Sequence, residues 1–255
     1  MKKSVKIENN LIVPKKSLGQ NFLIDKNLCR KIVKLADLKN QNVIEIGPGT
    51  GLITDEILRV NPKKLIIIEK DEKLYDFLIK KNKNIINIKI LNNDALKFNF
   101  DIFENVKIIS NLPYNITNKI IIKLLTEYDN ISEIILMIQK EVSKKINYKL
   151  KDHKKNKLSL LVEIFCNYEK LIDISNNVFY PKPKVQSSVI KLKLNKNSIN
   201  KLNFLKFSSR IFLYKRKKLK NIIQIKDSNN LIEKILNQRA EDLSINELLY
   251  IFNRF

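Results

Sequence analysis

The chain has 255 residues, enough for one large domain or one domain with a small appendage, and its apolar fraction of 44% can supply a sizeable core. Lys and Arg number 49 against 26 Asp and Glu, a formal net charge of +23; this points to a polyanion or an acidic membrane surface as partner, although A/T-rich coding drift toward Lys, Asn and Ile supplies part of the excess. Two cysteines far apart, Cys29 and Cys166, and a single histidine, His153, argue against a zinc site and a histidine-based triad.

Both thiols are expected to be reduced and buried, as in a reducing compartment. The opening "MKKSVKIENNLIVPKK" lacks the sustained apolar stretch of a secretory signal. No apolar run approaches the roughly 18 residues of a membrane span. A cytoplasmic protein without a membrane segment is expected, with residues 1–16 as a flexible tail.

The only glycines are Gly19, Gly47, Gly49 and Gly51, each within a short motif. "NVIEIGPGTGLIT" reads as a buried strand over Val43–Ile46, a tight turn, and a helix over Leu52–Val60. A second strand, Leu65–Ile68, ends at Glu69 and leads into a helix from about Lys73. A third strand ends near Asp94. A fourth, in "VKIISNLPY", ends at Asn111–Tyr114. A fifth, around Ile134–Ile138, precedes another helix. Strands alternating with helices predict an α/β fold with a mostly parallel, doubly wound sheet, whose ligands sit at the carboxyl ends of the strands. Beyond Phe165 the pattern changes. A Pro-x-Pro elbow and an alternating strand, Ser187–Leu194, predict an antiparallel edge hairpin. "YKLKDHKKNK" reads as a solvated loop, and residues 195–255 as a small helical domain appended to a domain of residues 1–194.

The chemistry-bearing residues cluster at the strand ends. Gly47, Gly49 and Gly51 form a turn that lets backbone approach a ligand at a helix N-terminus. It has neither the Gly-Lys-Ser/Thr of a triphosphate loop nor the full spacing of a dinucleotide site. Glu69, about 20 residues on, is placed to accept hydrogen bonds from a ribose diol, or else is a solvated strand-end carboxylate. Asp94 could bind the exocyclic amine of an adenine or cap a helix before "ALKF". Together they describe a pocket for an adenosine without a triphosphate, which S-adenosylmethionine fits. In "NLPY", Asn111 can accept a hydrogen bond from an amino group. Pro113 fixes a turn that can project the Leu112 carbonyl, and Tyr114 offers a stacking face. The same residues could be a plain turn; beside a methyl donor they suit the N6 amine of a target adenine.

The segments "KKSLGQNFLID", "IEIGPGTG", "IIIEKDEKL", "NNDALKF", "SNLPYNI", "MIQKEV", "VFYPKPKVQSSV" and "QRAEDLS", in this order, resemble the small-subunit rRNA adenine N6,N6-dimethyltransferases of the KsgA type over nearly the whole chain. The resemblance implies a Rossmann-like class I methyltransferase domain with a small C-terminal helical domain. It implies an enzyme that uses S-adenosylmethionine to dimethylate two adjacent adenines in a hairpin loop near the 3′ end of small-subunit rRNA, in an assembling 30S-type subunit. It places Gln20, Asn21 and Leu23 in the cofactor pocket with Gly47, Glu69, Asp94 and Asn111, and makes Phe179 the second aromatic that sandwiches the base. Between Ile146 and Leu158 the sequence departs from the family, which usually carries glycine there. Two relatives with other roles are similar: large-subunit rRNA adenine methylases of the antibiotic-resistance type, and organellar transcription factors derived from the family. "GPGTG", "NLPY" and "QKEV" together favour the small-subunit enzyme.

RNA contact is expected from two places. One is the elbow, through Lys182 and Lys184. The other is a helix spanning "SSRIFLYKRKKLKNII", whose Arg210, Lys215, Arg216, Lys217, Lys218 and Lys220 would form an exposed stripe, or merely a solvated face. A monomer is expected.

Overall fold

A computed structural model of the chain describes residues 5–7, 10–148, 154–214, 216–225 and 229–255. Strands β1 (Val5–Ile7) and β2 (Asn10–Ile12) pair antiparallel, so the stretch expected to be a flexible tail carries a short hairpin among its described residues. A two-residue strand, β3 (Phe22–Leu23), leads into helix α1 (Lys26–Ala36), capped by the Asp25 carboxylate on the Leu28 amide.

Then follow β4 (Asn42–Ile46), α2 (Leu52–Arg59), β5 (Lys64–Glu69), α3 (Glu72–Lys81), β6 (Ile88–Asn92), β7 (Val106–Asn111), α4 (Thr117–Glu127), β8 (Ile131–Gln139) and α5 (Lys140–Ile146). Helix α6 (Lys157–Phe165), strands β9 (Cys166–Ile174), β10 (Phe179–Tyr180) and β11 (Ser187–Leu194), and helices α7 (Lys201–Ile211), α8 (Asn230–Leu236) and α9 (Ile245–Phe252) complete the described elements.

Seven strands form one sheet in the order β6-β5-β4-β7-β8-β11-β9. The first five are parallel, and β11 runs antiparallel to both β8 and β9. The expected hairpin is therefore present. Its outer strand is β9, whose mixed polar and apolar residues carry no clear strand signal.

The strands read as unbroken apolar runs because both sheet faces are covered. Alternation then sorts each run between two cores. Val43, Leu65, Ile67 and Ile109 join the cluster that includes Ile32, Val33, Ile53 and Leu78 of α1–α3. Their neighbours Ile44, Ile66, Ile68 and Ile108 join the cluster on the other face, with Ile120, Leu124 and Leu161 of α4 and α6. That second core continues without a break into the C-terminal helices through Phe204, Phe207, Leu219, Ile235 and Ile251. Phe204 sits at its junction, edge-on to Phe165 of α6 at 5.7 Å and to Phe252 of α9 at 5.0 Å. Cys29 and Cys166 are free and buried, and burial pushes both thiols up to about 12.

Two expectations about the basic segments are corrected. Helix α7 stops at Ile211 rather than running on to residue 223. Past it, the described residues form a turn closed by the Lys217 amide on the Tyr214 carbonyl, then a short 3-10 turn at Leu219–Asn221. A continuous helix would bring Arg216 and Lys217 within one turn of Lys220, where like charges repel. The turn instead buries Leu219, whose amide bonds the Gln238 carbonyl. The second correction concerns "YKLKDHKKNK". Residues 149–153 lie outside those described, but Lys155 is buried, with its ammonium on the Leu243 carbonyl, and Lys154 pairs with Glu241 at 2.6 Å.

Because the sheet and the C-terminal helices share one core, they should unfold together. Truncating Phe204→Ala should cost about 3–5 kcal/mol. Urea melts followed by circular dichroism and by tyrosine fluorescence should shift in parallel, as one transition.

Candidate active site

The parallel strands end at one edge of the sheet, and a cleft opens there. Its walls come from the glycine turn after β4, the tip of β5, the Asn93–Leu96 turn after β6, the Asn111–Ile116 segment after β7, and residues 17–23. Gln20, Asn21, Leu23, Gly47, Gly49, Glu69, Asp94, Asn111, Leu112, Pro113 and Tyr114 all line it. Gly51 is the N-cap of α2 and closes the turn, its amide on the Pro48 carbonyl at 3.0 Å.

The glycine turn is built for close approach. Gly49 has φ +59°, and an added Cβ would lie 2.9 Å from the Phe22 ring, so both the backbone and its neighbour require glycine. At Gly47, with φ +63°, an added Cβ would project into open space, so bare backbone forms that part of the wall. Beside it, Glu69 is 6% exposed. Its Oε1 accepts from the Asp71 amide at 2.8 Å and its Oε2 from the Gly49 amide at 3.4 Å. Burial nevertheless raises this carboxyl to about 7, against those bonds. A second carboxyl, Glu45, lies beneath the turn and accepts from the Thr54 hydroxyl at 2.6 Å; burial pushes it up to about 8.

Asp94 forms a local turn. Its Oδ1 accepts from the Leu96 amide at 2.9 Å, while Lys70 donates to Oδ2 at 2.8 Å. Partial burial works to raise this carboxyl, but the Lys70 ammonium and the Leu96 amide outweigh it and hold it below the usual range. No helix follows Asp94, so the expected helix cap is instead the cap of a turn, and the residue lines the cleft. Lys70, largely exposed, can move aside for an amine.

At the far side, the Asn111 amide nitrogen donates to the Asn21 carbonyl at 3.0 Å. The reversed amide would set two oxygens against each other, so this bond fixes the side chain with Oδ1 as its remaining acceptor. Leu112 is buried in the core and anchors the turn, and the Pro113 carbonyl accepts from Ile116 and Thr117. The half-buried Tyr114 shares a hydrogen bond with the Ser187 hydroxyl at 3.0 Å, which tethers its ring.

Phe179 is not brought to this cleft. It lies on β10, paired with Leu23 of β3, and is 3% exposed within the core that contains Val33 and Met137. Among the basic residues, Lys182 and Lys184 are exposed on the elbow, and Arg216, Lys217, Lys218 and Lys220 are exposed around the turn after α7. Arg210 is also exposed but binds the Ile222 carbonyl through Nε at 3.0 Å. Lys215 lies outside the described residues. Sequence reasoning missed Glu45, Asp71 and Ser187. Only Asp71 carried a signal, as the N-cap candidate in "EKDEKL", and it does cap α3 through the Lys73 amide.

A glycine turn with a bare-backbone wall, a buried acceptor at the next strand tip and a carboxylate at the third suit a nucleoside with free ribose hydroxyls and an exocyclic amine. On this sheet order they define a class I methyltransferase. Solved structures carry the same fold. A dimethyladenosine transferase from Plasmodium falciparum aligns with TM-score 0.77 and 25% identity over 91% of this chain and 97% of its own. The 23S rRNA methyltransferase ErmE aligns with TM-score 0.71 and 22% identity over 91% and 98%. The family model for ribosomal RNA adenine dimethylases matches residues 13–255, and the chain belongs to that family. Among its relatives, the ribosomal RNA small subunit methyltransferase A of Mesomycoplasma hyopneumoniae (strain 232) is 41% identical over 227 residues, 88% of this chain and 87% of the relative. The protein of the same name from Hydrogenobaculum sp. (strain Y04AAS1) is 36% identical over 246 residues, 95% and 94%. The protein is thus an S-adenosylmethionine-dependent methyltransferase of ribosomal RNA adenines.

The raised Glu69 carboxyl predicts a pH dependence of cofactor binding. Below about pH 7 the free protein holds this group protonated, and a protonated oxygen no longer accepts from a ribose hydroxyl. Affinity should therefore fall as pH falls through 7, by up to about tenfold per unit. Calorimetry from pH 5.5 to 8.5 should show this slope in the native chain. It should be absent in Glu69→Gln, which binds more weakly throughout; that contrast separates Glu69 from Glu45.

Proposed function

We propose that this protein dimethylates two adjacent adenines in a hairpin loop near the 3′ end of small-subunit rRNA, acting as a cytoplasmic monomer on an assembling 30S-type subunit. The observation that carries the reading is the Asn111 amide. Its nitrogen is committed to the Asn21 carbonyl, which leaves an acceptor oxygen on a residue that lines the same cleft as the glycine turn and Tyr114. The names of the curated relatives point to the small subunit.

When bound, S-adenosylmethionine supplies a methyl group made electrophilic by its sulfonium. The acceptor nitrogen is a poor nucleophile, because its lone pair is delocalised into the purine. Asn111 Oδ1 and the Leu112 carbonyl accept its two N–H bonds, favour the pyramidal nitrogen, and stabilise the positive charge that develops there. Tyr114, held by Ser187, stacks on the base and fixes its plane. No side chain need take the proton at transfer, since the alkylated nitrogen is acidic and releases it to water. After one methyl the nitrogen keeps one proton, so the same site can act again. The base must leave its stack to enter, which costs a few kcal/mol and is easiest in a loop.

Selection and affinity are divided. The pocket recognises the adenine, while Lys182, Lys184 and the exposed cations after α7 hold phosphates. Unmodified small subunits incubated with labelled donor should become dimethylated at adjacent adenines, located by mass spectrometry of the RNA. Label confined to large-subunit RNA would overturn the assignment.

Asn111→Ala should cut turnover about 100-fold or more with RNA affinity nearly unchanged, measured as single-turnover methyl transfer alongside filter binding. Changing Arg216, Lys217 and Lys218 together to Gln should weaken RNA binding and flatten its salt dependence. The slope of log affinity against log salt should drop by about 0.7–0.9 for each phosphate no longer neutralised. Titrations at several salt concentrations read this directly, and cofactor affinity should not move.

A further inference from the structure

The outer wall of the cleft is a segment rather than a strand end. Residues 17–23 line it, reached through a 3-10 turn at Lys16–Leu18 that leads toward β3. Such a segment has few backbone bonds of its own to hold it. Its side-chain bonds converge on one buried carboxylate: Lys15 Nζ donates to Asp71 Oδ1 at 2.8 Å, and Gln20 Nε2 donates to Asp71 Oδ2 at 2.9 Å. The Gln20 oxygen in turn accepts from the Lys15 amide at 2.7 Å, which closes a small ring of bonds. Asp71 is 4% exposed, and its own amide donates to Glu69 Oε1. The other end of the segment meets the acceptor side, where the Asn21 carbonyl takes the Asn111 amide.

We propose that Asp71 is a positioning residue that latches residues 15–21 across the cofactor cleft through Lys15 and Gln20, so that the latch sets the affinity for S-adenosylmethionine. The inference rests on the cofactor assignment above. Asp71 is not among the residues that line the cleft, and neither is Lys15. They act through Gln20, which does line it, and through the placement of the segment. A salt bridge is a suitable latch because one partner is fixed and the other is free to leave. Asp71 is held by α3 and by burial, whereas the Lys15 side chain is 43% exposed. Release of the segment would open the cleft along its outer wall without disturbing the glycine turn or Glu69.

The test uses the full chain with S-adenosylmethionine as the titrant. Lys15→Met keeps the aliphatic stem and removes only the exposed charge, so folding is not at risk. It should weaken binding about two- to fivefold. Asp71→Asn, which loses both charge-assisted bonds, should weaken it about tenfold. The double variant should bind no more weakly than Asp71→Asn alone, because both changes open one latch. In steady state the KM for the donor should rise while kcat stays near the native value. Hydrogen exchange of the free proteins supplies a readout without cofactor: the amides of residues 18–23 should exchange faster in both single variants. Native affinity and native exchange in Lys15→Met would overturn the latch. Additive losses in the double variant would also overturn it, since Asp71 would then act by another route. If the native chain bound no S-adenosylmethionine, the cofactor assignment would fail, while the exchange data would still decide whether the latch exists.

Discussion

The parallel register of β4 with its two neighbours is the constraint on which the site depends. Ile46 pairs with Ile68 of β5 on one side and with Ser110 of β7 on the other. The next residues along the three strands are Gly47, Glu69 and Asn111, so one register delivers the turn glycine, a buried carboxyl and a side-chain amide to a common cleft. Both faces of this sheet are closed by helices, so polar side chains can meet a ligand only at the strand ends. A slip of one residue in either pairing would move Glu69 or Asn111 by more than 3 Å and turn its side chain to the opposite face. The apolar runs in β4, β5 and β7 therefore act on function indirectly: packing holds the register, and the register assembles the pocket.

The site is not the most stable arrangement of these residues. Glu45 and Glu69 are both buried, burial is the largest cause that raises each, and the Glu69 charge adds a smaller rise at Glu45. A carboxyl whose folded pKa is raised binds more protons in the folded than in the unfolded chain. Folding stability from these two groups is therefore complete below about pH 4.5 and declines as pH rises, through about 7 for Glu69 and about 8 for Glu45. The fold tolerates this because Thr54, Gly49 and Asp71 donate hydrogen bonds to the two groups. A ligand that offers further donors to Glu69 would relieve part of the penalty, and so would stabilise the folded chain as it binds.

Much of the pocket is visible in the sequence because it obeys local rules. Glycine is rare in this chain, so three glycines within five residues after an apolar run mark a backbone requirement, and the fit of Phe22 against Gly49 supplies its reason. Glu69, Asp94 and Asn111 are found because each ends an apolar run. What the sequence hides is tertiary. Phe179, assigned by resemblance to sandwich the base, pairs with Leu23 of β3 and is buried, which nothing local in the sequence foretells. Asp71, missed in the sequence, caps α3, and its bonds to Lys15 and Gln20 cross more than 50 positions of chain. The run from Ser208 to Ile223 has a helical hydrophobic period, and it breaks because Leu219 finds a partner in the Gln238 backbone. Lys155, in a stretch that looks wholly solvated, is buried with its ammonium on the Leu243 carbonyl between α8 and α9 and over the Tyr148 ring at 5.3 Å.

The charge distribution follows from the same division between packed and free residues. Several carboxylates are already paired or capped: Asp71 with Lys15, Asp94 with Lys70, Asp55 with Lys81, Glu241 with Lys154, and Glu247 with its own helix start. Each pair takes one cation for one acid, so with 49 cations to 26 acids pairing leaves the net excess of +23 unchanged. The field of this excess is long-ranged and unspecific; it raises the rate of encounter with any polyanion and is screened by salt within about 10 Å at 0.1 M. It cannot choose one base among many. That choice falls to the few polar atoms at the carboxyl edge of the sheet, which act over hydrogen-bond distances and are insensitive to bulk salt. Because the two tasks use different residues and different ranges, the lysine-rich surface can vary with the composition of the chain while the register of β4, β5 and β7 keeps the acceptor geometry fixed.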